Sequence, residues 1–196
     1  MDEQRGDGPS LHSCPAIESP ITTYIRLVQQ QTEAADLLEQ IADSLPTSID
    51  RPLCYELSAH LPQLLQVCWT IDERVIFPRL LATQSVSHFT QRSAERLGDE
   101  RLTDQGYAIE VSELLEGYGH AAVVEDANAA GYLLRGFFEN MRRSASFRLE
   151  FIVPGAQRCL THNDREHMLQ LLREESMIIS TWCNATWTKI KTHKQL

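Results

Sequence analysis

The sequence predicts an all-α fold, an up-down helical bundle with one additional C-terminal helix. Apolar residues recur at helical spacing through five segments, and no segment keeps the alternation of a strand. A third observation is an echo: CWTIDERVIFP at Cys68–Pro78 returns as SASFRLEFIVP at Ser144–Pro154. The chain therefore reads as two helix pairs in tandem, which implies a bundle with internal pseudo-symmetry.

Residues 1–18 are rich in Gly, Pro, Ser and charge and read as a flexible tail. Ser19-Pro20 supplies an N-cap and a proline at the first helical position. Ile21, Tyr24, Val28, Gln31, Ala35, Leu38, Ala42 and Leu45 then form a heptad-like seam whose polar interruption is Gln31, and Leu45-Pro46 ends it. A second helix is expected over about 53–81, with Cys54, Leu57, Leu61, Leu64, Cys68, Ile71 and Val75 along its seam. Pro62 either kinks that helix or marks a later start. A third, over about 93–118, places Gln105, Ala108, Val111 and Leu115 on one face, and Gly117 and Gly119 are expected to stop it. A fourth covers about 126–153, with Ala130, Leu133, Phe137, Met141 and Phe147 inward. Thr161 caps a fifth over about 162–188, with Met168, Leu171, Leu172, Ile178 and Trp182 facing the core. The folded unit is thus 19–188. Residues 189–196 form a second tail, whose Lys189, Lys191 and Lys194 read as a solvated basic cluster.

Composition bounds the function. A chain of 196 residues with 42% hydrophobic and 23% charged content suits one globular domain. A net charge of -9 argues against nucleic acid as a partner. The five cysteines, Cys14, Cys54, Cys68, Cys159 and Cys183, are odd in number and irregularly spaced. They form neither a disulfide framework nor a C-x-x-C zinc site, and point to a reducing cytoplasm. In that setting Asn184-Ala185-Thr186 carries no glycan. No apolar run reaches membrane-spanning length, and the N-terminus lacks signal-peptide character, so a membrane is not an expected partner. A Gly-rich phosphate loop, a Ser/His/Asp arrangement and an H-E-x-x-H helix are all absent from the sequence. His88 and His120 fall in expected loops, and His162 and His167 do not share a helical face. Cys14-Pro15 matches a short pattern of haem-responsive segments, but the dipeptide is common. Glu110, Glu113 and Glu116 read as a solvated face.

The repeat carries the chemistry. Its slots pair Cys68 with Ser144 and Asp72 with Arg148, while Gln31 in the first helix matches Gln105 in the third, or Asp104 if the register is one residue off. With DERVIFPRL at Asp72–Leu80 as its most specific part, the chain over residues 20–175 resembles the hemerythrin-like HHE cation-binding family. Relatives in that family include di-iron proteins of iron–sulfur repair. The resemblance implies a helical bundle in which each helix pair supplies a histidine from its first helix, and from its second a histidine followed four residues later by a carboxylate. The matched positions here are Gln31, Cys68, Asp72, Gln105, Ser144 and Arg148, and none is histidine.

The substitutions are mutually consistent. A guanidinium facing Asp72 replaces the lost cations, and Gln31 and Gln105 fill the polar space around it. The expectation is a metal-free polar knot of Gln31, Asp72, Gln105 and Arg148 with no cofactor. The protein is then a non-enzymatic regulatory or protein-interaction module, acting on a protein partner or by self-association. The alternative is an atypical non-haem iron or zinc protein sensing oxygen, nitric oxide or redox state, with Cys68, Asp72, Glu73 and His60 as ligands. A further rival reuses the vacated cavity for a small molecule or haem. The orientation of Arg148 discriminates among them.

Overall fold

The computed structural model of the chain describes residues 19–121 and 123–183, and side chains as far as 174. Among these residues every regular element is helical. They are α1 (Pro20–Ser44), α2 (Arg51–Ile71), a π-helical turn (Asp72–Ile76), α3 (Phe77–Ala82), α4 (His88–Gly119), α5 (Ala127–Phe147), a second π-helical turn (Arg148–Ile152), α6 (Val153–Cys159) and α7 (His162–Cys183). The expected tails at 1–18 and 189–196, and the inward placement of Ile178 and Trp182, lie outside the described residues or side chains. So do Cys14, Cys183 and Asn184.

Local signals set the helix starts. Ser19 Oγ accepts from the Thr22 amide with Pro20 at the first helical position, and Asp50 Oδ1 accepts from the Leu53 amide ahead of Pro52. Ser87 caps α4 through the Thr90 amide, so this helix begins one turn earlier than the apolar pattern alone suggests. At α7, Thr161 and Asp164 cap each other reciprocally, with Asp164 Oδ2 accepting from the Thr161 amide at 2.8 Å. Arg79 Nε also donates to that carboxylate at 2.8 Å, tying α3 to the start of α7. Burial raises the Asp164 pKa, and these donors together outweigh it and hold the carboxyl below the usual carboxylate range.

The second and fourth expected helices are each interrupted. Phe77 N–H donates to Asp72 O and Val153 N–H to Arg148 O, five residues back rather than four. Pro78 and Pro154 follow directly. A proline lacks the N–H and crowds the carbonyl four residues before it, and the wider turn moves that carbonyl aside. The repeat therefore preserves a backbone feature: the two halves carry the same π turn, opening on Asp72 in one and Arg148 in the other.

The expected stop at Gly117 and Gly119 takes a different form. The described glycines have no positive φ, α4 runs through Gly119, and Ala121 takes the left-handed conformation at φ 67°. Gly119 serves close approach instead. A Cβ there would lie 2.9 Å from Tyr55 Cβ and 3.0 Å from Tyr55 Cα, so its absence lets α4 meet the start of α2.

Four long helices enclose one core. α1 packs along α5 and α2 along α4, while α7 lies against α1 and α2. Leu38, Ile41, Leu57, Leu61, Leu115, Leu134, Ile152 and Met168 are fully buried within it. Arg142 of α5 reaches Asp36 and Glu39 of α1 at 2.8 and 2.6 Å. Among the described residues no helix is long and apolar enough to cross a membrane. Pro62 is accommodated inside α2 without ending it.

Candidate functional site

The two π turns face each other across the core and bring together the residues that open them. Arg148 Nε donates to Asp72 Oδ2 at 2.8 Å, and the Tyr24 hydroxyl donates to Asp72 Oδ1. All three residues are buried, Tyr24 and Asp72 at 1% exposure and Arg148 at 3%. Each carboxylate oxygen thus has a donor, as a buried anion requires. Cys68 lies one helical turn before Asp72 and is fully enclosed.

Electrostatics follow from this burial. Desolvation raises the pKa of Asp72, against the pull of Arg148 and of the Tyr24 hydroxyl. Burial works against the Arg148 cation, and Asp72 more than offsets it, so its pKa stands above the ordinary value. Tyr24 is held well above its usual pKa, first by burial and then by the Asp72 charge, and stays a hydrogen-bond donor. Burial pushes the Cys68 thiol up to about 12, Arg148 countering only in part, and burial pushes Cys54 equally to about 12.

The other expected members divide. Gln31 is 1% exposed, and its Nε2 has no oxygen or nitrogen partner but lies beside the Cys68 thiol, whose ionised form it favours. It lines a cavity of about 10 Å³ together with Asp104, Ser144 and Arg148. That volume suits roughly one water molecule. Gln105 does not belong to the cluster. It is only half-buried, and the α4 residue at this cavity is its neighbour Asp104, which accepts from Asn140 Nδ2 at 2.6 Å. One step along a helix swings a side chain by about 100°, which is enough to replace one residue by the other. Of the two α4 positions that the sequence offers, Asp104 is the one beside this cavity. Burial raises the pKa of Asp104, with the Asn140 amide opposing.

The alternative ligand set does not converge. Glu73 is exposed and pairs with Arg101 on α4. The His60 ring is half-buried two turns before Cys68, with Nδ1 at 2.6 Å from Glu56 O. Among the described residues no three His, Cys, Asp or Glu side chains are grouped as a metal site needs. His88, His120, His162 and His167 are all exposed, as are Glu110, Glu113 and Glu116.

Tyr24 is the member that sequence reasoning missed. It reads there as one more apolar seam position, although it stands two turns before Gln31 on the same stripe. A tyrosine on a buried seam brings a hydroxyl that needs a partner, and that need was the available signal.

The thiol shifts give a direct expectation. At pH 8, alkylation of the folded protein should spare Cys54 and Cys68 and modify the half-buried Cys159, read by peptide mass spectrometry. The sign of the pH effect follows. Below the ordinary thiol value of 9.0 both folded and unfolded chains keep these protons. As pH rises from 9.0 towards about 12 only the unfolded chain loses them, so stability falls through that window. Rapid alkylation of Cys68 in the native state would contradict the enclosed position.

The arrangement holds a buried charge pair in fixed geometry, with every member enclosed. No family model, no curated protein and no solved structure matches this chain.

Proposed function

We propose that this chain is a hemerythrin-like four-helix bundle in which an internal ion pair stands where the family holds two irons. On this reading it acts in the cytoplasm as a non-enzymatic regulatory or protein-interaction module. The observation that carries the reading is the Asp72–Arg148 pair. Both Asp72 oxygens already accept hydrogen bonds, one from Tyr24 and one from Arg148. A fixed guanidinium charge beside them repels any cation that would compete.

The di-iron group implied by the resemblance does not fit these residues. Its sites want imidazole and carboxylate donors. The matched positions offer an amide, a thiol and a hydroxyl at Gln31, Cys68 and Ser144, with Asp104 on α4, while the Asp72 carboxylate is already paired with Arg148. The thiol of Cys68 is fully enclosed, and burial favours its protonated form.

Elemental analysis of protein purified without chelator and then supplied with ferrous iron anaerobically tests the proposal. The expected result is a substoichiometric metal content and no charge-transfer absorption. Stoichiometric iron that survives desalting, with a visible band altered in Cys68→Ser, would overturn it and restore the sensing alternative.

A further inference from the structure

The seam between α4 and α5 is open. A Cβ at Gly136, which lines it, would meet nothing within 4 Å. The seam forms a groove of two lobes, of about 580 and 500 Å³, that share Leu133. Exposed apolar side chains border it: Tyr107 at 49%, Tyr132 at 83% and, in the connection between the helices, Val123 at 82%. Its charge is one-sided. Glu100 and Asp104 line the first lobe and Glu113, Glu125 and Asp126 the second, with Arg143 the cation among the lining residues.

The sequence contains a segment of the complementary kind. All three lysines of the chain, Lys189, Lys191 and Lys194, fall within residues 184–196. That segment has no acidic residue and carries Trp187 and Ile190 between and beside the lysines, in a chain whose net charge is -9. Along α4 the groove runs from Glu100 to Tyr118, about 27 Å at 1.5 Å per residue. A thirteen-residue segment (184–196) covers about 20 Å as a helix and about 43 Å extended, so it can occupy most of that length.

We infer that the α4–α5 groove of one copy takes residues 184–196 of a second copy, with lysine ammonium groups on the acidic rim and Trp187 and Ile190 against Tyr107, Tyr132 and Val123. The segment of the same chain is less suited. It follows α7, which packs on α1 and α2, the side of the molecule away from the α4–α5 seam. This inference deepens the reading as an interaction module and names its partner as the chain itself.

The test is the mass of the full-length protein by light scattering across concentration and salt. Expected is growth beyond one chain as concentration rises at low salt, reversed by added salt because the pairs are exposed and screened. Lys189→Glu, Lys191→Glu and Lys194→Glu together should weaken association roughly tenfold to a hundredfold, as three rim pairs become repulsive. Tyr132→Glu, at an exposed position, should weaken it with unchanged circular dichroism. Glu113→Lys with Glu125→Lys should restore association to the tail-reversed variant. A mass of one chain at every concentration would overturn the inference. So would association that tail reversal leaves intact, or one that tail reversal removes but Tyr132→Glu does not. Iron content is independent of all these outcomes, so failure here with substoichiometric iron leaves the non-enzymatic reading standing.

Discussion

Replacing Arg148 with methionine should destabilise the fold by about 3–5 kcal/mol, because the Asp72 carboxylate is left buried with the Tyr24 hydroxyl as its remaining donor. Asp72→Leu should cost a comparable amount for the opposite reason, since it strands the guanidinium. The double variant should recover most of the loss, because a buried ion pair adds little over apolar packing of similar volume. A cavity of about 70 Å³ beside Asp72 and Arg148 gives the larger leucine room to settle. The Tyr24 hydroxyl would then be orphaned at roughly 1–3 kcal/mol, which Tyr24→Phe removes. Urea unfolding of the single, double and triple variants closes the cycle. Single effects that simply add in the double variant would mean that the two side chains do not share one site.

Much of this site is legible in the sequence because its two halves are related. The shared spacing of CWTIDERVIFP and SASFRLEFIVP puts Asp72 and Arg148 in one slot before either is seen in space, and opposite charges in one slot suggest a pair. The helix pairs follow from seam spacing in the same way. What the pattern misses is physical rather than accidental. Spacing averages over a helix, so it does not register a π turn, and the one trace is a proline inside an otherwise helical run at Pro78 and Pro154. The choice between Gln105 and Asp104 stays open in the sequence because α4 carries neither the π turn nor the proline that marks the register of α2 and α5, and in space it is Asp104 that lines the cavity. Gly119 looks like a helix stop because glycine tolerates positive φ, yet its position is set by the backbone of Tyr55, a neighbour that the local sequence does not contain.

Met168→Ala should destabilise the protein by about 2–5 kcal/mol, with a single urea transition of unchanged slope. Met168 is fully buried, and Leu171 and Leu172 beside it are buried too, so α7 contributes a face to the core rather than lying on the surface. That face meets α1 and α2, the helices that carry Tyr24, Gln31, Cys68 and the approach to Asp72. Loosening it should therefore reach the polar knot. The measurable sign is an increase in Cys68 alkylation at pH 8 in the variant, while Cys54, at the far end of α2, remains protected. Two transitions, or a reduced slope with no change at Cys68, would mean instead that α7 unfolds as a unit of its own. In that case α1, α2, α4 and α5 hold the buried pair without it.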